Sequence, residues 1–208
     1  YRGMDVGTAK LPPEQRRGIP HHLLDRLEIT DPATVAEFQQ WAREAVVELR
    51  GRGVVPVLVG GSALYTRAVL DRFEFPGTIP EVRARLEAEL DAVGPAALHA
   101  RLAQVDPEAA ARILVENRRR VVRALEVVEI TGRPFSASLP QLEYADPATV
   151  QIGVDIDRPT LDARIEQRVA AMFDAGLIAE VERLLDAGLA DSRTASAAIG
   201  YREAVALL

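Results

Sequence analysis

The chain has 208 residues, a formal net charge of −6, and 48% hydrophobic against 27% charged residues, the balance of a soluble globular protein with room for one large domain or two small ones. It contains no cysteine, which excludes disulfides, thiolate metal sites and cysteine nucleophiles. No signal peptide and no apolar run long enough to span a bilayer is visible in these residues, and with cysteine absent a cytoplasmic protein without membrane contact is expected.

Residues 1–10 are glycine-rich and irregular and end at a Pro12-Pro13 turn. Residues 19–25 could form a short strand. Asp31-Pro32 has the form of a helix start, with Asp as N-cap and Pro in the first turn. Val35, Phe38, Ala42, Ala45, Val46 and Leu49 then recur on one helical face, and Gly51 and Gly53 close the helix. Residues 54–59 are apolar at nearly every position, as in a strand buried on both faces of a parallel sheet. Gly60-Gly61 follow, and Ser62 opens a helix carrying Leu64, Tyr65, Ala68 and Val69. A strand, a glycine turn and a helix start make an α/β unit, a common place for an anionic ligand.

From Pro80 the pattern becomes wholly helical. Val82, Leu86, Leu90 and Val93 share a face, Leu98, Leu102 and Val105 make a second segment, and Asp106-Pro107 starts a third. A further helix over 118–131 ends at Gly132 and Pro134. Val150, Ile152, Val154 and Ile156 alternate, which predicts a returning strand. A helix over 159–175 turns Leu161, Ile165, Val169 and Met172 inward, and two more follow, around 178–187 and from Ala195 onward. Tyr1 opens the chain without a preceding strand and Leu208 falls within a helical pattern, so both ends are expected to continue.

Three features carry chemistry. Arg118, Arg119, Arg120 and Arg123 lie on one helix, where several guanidinium groups can grip phosphates. They can equally be a solvated face paired with acids such as Glu116 and Glu126. The turn at Gly60-Gly61-Ser62 is either a ligand loop or a plain helix cap. His21 and His22 read as structural rather than catalytic, and no metal-ligand spacing stands out. Lys10 is the only lysine. The negative net charge argues mildly against nucleic acid, although a local basic patch overrides a global balance.

Longer runs narrow these alternatives. Residues 1–10, YRGMDVGTAK, resemble the YxGMDIGTAKP signature of bacterial tRNA dimethylallyltransferases. Residues 20–25, PHHLLD, are similar to PHHLID; residues 57–65, VLVGGSALY, to LLVGGTGLY; residues 120–134, RVVRALEVVEITGRP, to RLIRALEVYELTGKP; and Ile199-Gly200-Tyr201-Arg202 to the late AIGYR element. The five occur in the family's order and near its spacing.

The resemblance implies an α/β fold, a P-loop-NTPase-like parallel sheet with a helical insertion. It divides the chain into a core over 1–76, a tRNA-facing insertion over 77–116, and a return to the core with C-terminal helices over 117–208. It implies transfer of dimethylallyl from dimethylallyl diphosphate to N6 of adenosine 37 in tRNAs reading codons that begin with U, with Mg²⁺ at the diphosphate and a monomeric enzyme. The base leaves the anticodon-loop stack to be modified. By resemblance Ser62 stands beside the reacting adenosine. Arg83 and the run Arg119, Arg120, Val121, Val122 and Arg123 line the tRNA side, and Arg164 or Arg168 meets the diphosphate. The family's glycine-rich phosphate loop and its Asp general base lie upstream of Tyr1, so the 208 residues alone are expected to be inactive. Residues 114–118, LVENR, replace the family's HPNDP, and Ala197 stands where Arg or Gln is common. The competing expectation is a P-loop small-molecule kinase relative with a helical lid, and a third is a non-catalytic tRNA-binding relic.

Overall fold

The computed structural model describes residues 1–72, 75–136 and 143–208. The chain forms two compact units, one of Tyr1–Val59 with Val150–Leu208 and the other of Gly60–Thr149.

The second unit is helical. It holds α2 (Ala63–Leu70), α3 (Pro80–Val105), α4 (Pro107–Arg112) and α5 (Arg118–Thr131). Gly94, at φ 83°, and Pro95 break α3 into two segments, a division the sequence already marks. Leu86, Leu90, Leu98 and Leu102 of α3 meet Ala109, Ile113, Val121, Val122 and Leu125 in one core. Each leucine so buried stabilises the unit by about 2 kcal/mol. The expected boundary at 116 separates α5 from α3, whereas the two share this core.

Asp106 ties the unit together. Its buried carboxylate accepts from the Ala109 amide at 3.0 Å, capping α4, and from the amide and hydroxyl of Ser136 at 2.8 and 2.9 Å. Burial alone pushes this carboxyl up, but the hydrogen bonds from Ser136, Ala109 and Phe135 outweigh burial and hold it below its ordinary value of 3.8. Its contribution to stability is therefore complete above the ordinary carboxylate range and is lost as pH falls through the depressed folded value. Asp106→Asn should cost about 1–2 kcal/mol at neutral pH and flatten the acid limb of the stability curve below pH 4. Urea unfolding from pH 7 to pH 2.5 checks this, and parallel curves for the two proteins would refute it.

The first unit surrounds a smaller core. Met4 and Ile29 pack with Leu177, Val181 and Leu184 of α7 (Leu177–Asp186), with Leu189 and Ala195, and with Tyr201 and Ala204 of α8 (Tyr201–Val205). The unit also holds α1 (Val35–Gly51) and α6 (Arg158–Asp174). Thr34, not Asp31, caps α1, accepting from the Glu37 amide at 3.1 Å; Asp31 instead accepts from the amide of Glu28.

The expected parallel sheet is not present among the described residues. The only pairing there is an isolated antiparallel bridge between Asp71 and Tyr144. Residues 54–59 and 150–156 join no ladder among the described residues, and most of their apolar side chains lie open to solvent, with Val55 82% and Val154 96% exposed and Ile156 half-buried. A strand of a parallel sheet is stabilised by neighbours on both edges and both faces, and neither segment has them. The strand expected at 19–25 is likewise irregular. On α6 no residue is buried; Ile165 and Val169 are exposed, and Met172 alone of the expected stripe reaches the core edge. Among the described residues no helix is long and apolar enough to cross a membrane.

Candidate nucleic-acid interface and associated site residues

The arginine-rich stretch starts α5. Arg118, Arg119 and Arg120 occupy its first turn, which contains no acid, and Asn117 caps it by accepting from the Arg120 amide at 3.2 Å. A helix N-terminus carries partial positive charge, so three cations there oppose the dipole. The arrangement lowers the stability of the free helix and raises its attraction for an anion.

The four arginines differ in what they hold. Arg118 pairs with Asp91 of α3. Arg123 reaches inward, donating to the carbonyl oxygens of Pro76 and Gly77 at 2.6 and 3.1 Å and to Glu126 at 2.7 Å. Arg119 and Arg120 are exposed, and among the described residues neither has an ion-pair partner. The free charge of the cluster therefore sits on Arg119 and Arg120. Val121 and Val122 have buried side chains in the core, so they seat α5 rather than offer contacts to a partner.

Arg83 also belongs to this unit, but its guanidinium is engaged. It donates to Glu126 at 2.5 Å, and the same carboxylate oxygen receives Arg123. Glu126 is fully buried, and its Oε1 and the Nε of Arg83 are buried without a hydrogen-bond partner among the described residues. Glu126 was not singled out from the sequence as a buried group. The signal is its position: it lies four residues after Val122, where the helical period calls for an apolar residue.

Ser62 precedes α2 at the N-cap position, but its hydroxyl makes no capping bond. It is exposed together with Gly60 and Gly61, so a free hydroxyl follows a turn that lacks side chains. Arg164 and Arg168, one turn apart on α6, are exposed and lie in the other unit. The structure thus groups Ser62, Arg83 and residues 119–123 in the second unit and the two α6 arginines in the first.

The first unit unites the first and last of the sequence motifs. Glu180 of α7 is buried beneath residues 5–7 and receives their amides together with the Tyr201 hydroxyl at 2.5 Å. Burial, and then the bond to Glu180, push the Tyr201 hydroxyl far above its ordinary value of 10.0, so Tyr201 stays a hydrogen-bond donor at all physiological pH. Lys10 donates to Asp5 at 2.5 Å and to Asp25 at 2.6 Å. Burial lowers the Lys10 pKa, but the two carboxylates outweigh burial and raise it, so it remains an ammonium. His21 and His22 are exposed, and His21 bonds to the carbonyl of Ile19.

The implied magnesium finds no cage here. Among the described residues no three His, Cys, Asp or Glu side chains gather as ligands, and no step is assigned to a metal.

A model of the IPP transferase family matches residues 1–208. The chain is 76% identical, over its whole length, to 67% of a tRNA dimethylallyltransferase of a Nocardioides species. It is 61% identical over 98% of its length to 64% of one from Kineococcus radiotolerans. It thus spans about two thirds of the length of these relatives. Among solved structures, the full-length tRNA isopentenylpyrophosphate transferase of Bacillus halodurans matches all of the chain and 65% of its own length, at 39% identity and a TM-score of 0.62. With the match running unbroken from Tyr1 to Leu208 and the motifs in order, the chain belongs to the IPP transferase family.

Proposed function

We propose that the whole protein transfers dimethylallyl from dimethylallyl diphosphate to N6 of adenosine 37 in tRNAs reading codons that begin with U. The observation that carries this reading is the family match over the whole chain. The geometry supports an acceptor rich in phosphate: Arg119 and Arg120 project unpaired from the positive end of α5. Ser62 offers its free hydroxyl to the acceptor adenosine, and Arg164 and Arg168 offer a pair of guanidinium groups to the leaving diphosphate, where donors stabilise developing charge. Magnesium is proposed as a companion of the diphosphate, with no residue assigned to it.

The test is direct. The whole protein, labelled dimethylallyl diphosphate and total tRNA are incubated, and the digested nucleosides are separated. N6-dimethylallyl-adenosine is expected. ATP-dependent phosphorylation of a small molecule, with no modified nucleoside, would replace this reading with the kinase one.

The roles of the arginines separate by salt. Arg120→Ala should weaken tRNA binding and lower its salt dependence by roughly one released counterion, with dimethylallyl diphosphate affinity unchanged, because phosphate contacts set affinity and register. Arg164→Ala or Arg168→Ala should do the reverse. Arg83→Ala should lower the salt slope less than Arg120→Ala, since Arg83 already neutralises Glu126. Titrations at two salt concentrations decide, and an unchanged slope for Arg120→Ala would remove that residue from the interface.

A further inference from the structure

The turn that leads into α5 carries an apolar side chain outward. Among the described large apolar side chains of the helical unit, Leu114 is the most exposed, at 73%, while its neighbour Ile113 is buried in the core. The turn is firmly held. Ile113 seats it from below, and the carbonyl oxygens of Ala110 and Ile113 accept from Nε2 of His99 at 3.1 and 2.8 Å. The Asn117 amide donates to the Leu114 carbonyl at 3.0 Å, and the Asn117 side chain accepts from the Arg120 amide. Arg118 pins the far end of the turn to Asp91 of α3. Leu114 is therefore presented to solvent by a backbone fixed on both sides, and a partner meets it without having to order it first.

Asn117 also sets where Leu114 stands. It closes the β-turn that begins at Leu114 and caps the helical turn that bears Arg119 and Arg120. By the dimensions of a β-turn and a helix, the Leu114 backbone lies within roughly 13 Å of those two arginines. A lone exposed leucine on a neutral surface carries no message; this one adjoins the free charges of α5. Residues 114–117 contain no cation, and their one charged side chain, Glu116, is exposed. A carboxylate repels phosphate but accepts from the amino groups of bases. The arginines thus suit the backbone of a nucleic acid, and the turn beside them suits its bases. In RNA, bases are open to apolar contact where a single-stranded loop leaves them unstacked.

We propose that Leu114 packs against an unstacked base of the tRNA loop whose phosphates meet Arg119 and Arg120. The proposal rests on the transferase reading above and on residues of the helical unit alone. The leucine contact neutralises no charge, so it differs in kind from the arginine contacts. Losing an arginine changes affinity and its salt dependence together; losing the leucine lowers affinity by the same factor at every salt concentration.

The experiment uses the whole protein as wild type, Leu114→Ala and Leu114→Phe. Each is titrated at three salt concentrations with tRNA and with a blunt RNA duplex that has no loop, and thermal unfolding is followed in parallel. Leu114→Ala should bind tRNA on the order of tenfold more weakly, with the wild-type salt slope, and should bind the duplex as the wild type does. Leu114→Phe offers a flat face for stacking and should bind tRNA at least as tightly as the wild type. Both variants should keep the wild-type unfolding midpoint, because the side chain lies outside the core. An unchanged tRNA affinity in Leu114→Ala would overturn the proposal, as would an equal loss on tRNA and duplex, a flattened salt slope, or a lowered unfolding midpoint that gives the side chain a structural role. Wild-type protein that fails to bind tRNA would bring down the transferase reading and this contact with it; that failure shows in the wild-type titration, the others only in the variants.

Discussion

Glu126→Gln should destabilise the helical unit by about 3 kcal/mol, the largest electrostatic effect expected in the molecule. The carboxylate of Glu126 is fully buried and receives Arg83 at 2.5 Å and Arg123 at 2.7 Å on one oxygen. Taking a charge out of water costs several kcal/mol, which only close opposite charges offset. Neutralising Glu126 leaves two guanidinium groups facing each other across an amide. The consequences differ for the two. Arg123 keeps the carbonyls of Pro76 and Gly77. Arg83 has no other partner among the described residues and already carries a buried, unpartnered Nε. Because the Arg83 side chain is 36% exposed, water compensates part of the loss, which places the effect at the low end for a broken buried pair. The midpoint of thermal unfolding should fall by roughly 10 °C. Arg83→Met should cost clearly less, since Glu126 then retains Arg123, and the double variant should cost less than the two single changes summed. Strict additivity, or a Glu126→Gln effect below about 1 kcal/mol, would mean that the triad is a solvated surface pair. The same geometry bears on recognition: a phosphate approaching Arg83 competes with a carboxylate already in place, whereas Arg119 and Arg120 have none to displace.

The helices were legible because their signals are local. The cap at Asp106 and the stops at Gly132 and Gly176 fall where the residue types place them. The sheet was misread because a strand is defined by its neighbours. Residues 54–59 have the composition of a doubly buried strand, yet composition cannot supply a ladder, and in the structure the segment stands alone with exposed valines. The site was legible in part for the same reason. That residues 118–123 form an arginine-bearing helix follows from the sequence; which arginines are free depends on Asp91, Glu126 and the carbonyls of Pro76 and Gly77, contributed by other elements. The two buried acids had a readable signature. Glu126 and Glu180 both sit inside apolar stripes at helical spacing, where an acid is stable only if something distant satisfies it. What satisfies each one, a pair of arginines in one case and a backbone turn 173 to 175 residues away in the other, is a property of the fold.

Gly7→Ala should be about as costly, for a steric rather than an electrostatic reason. A Cβ at Gly7 would lie 2.6 Å from Cε2 and Cζ of Tyr201 and 2.8 Å from its hydroxyl oxygen, well inside van der Waals contact. Tyr201 cannot yield easily. It is fully buried among Met4, Leu177 and Val181, and its hydroxyl is bonded to Glu180 at 2.5 Å. The backbone of Gly7 is not in the left-handed region, so alanine suffers no strain of its own there; only the lack of space opposes it. Overpacking of this kind costs about 1–3 kcal/mol, and the upper figure applies where the turn must lift off Glu180 and leave its amides unsatisfied. Unfolding in urea should show that loss in Gly7→Ala. Tyr201→Phe should not relieve it, because the two nearest ring atoms remain. Tyr201→Leu should relieve it, so that Gly7→Ala costs less in that background than in the wild type. Equal costs in both backgrounds would show that the ring is not the obstacle, and that residues 4–8 are held by something other than the contact between the first motif and the last.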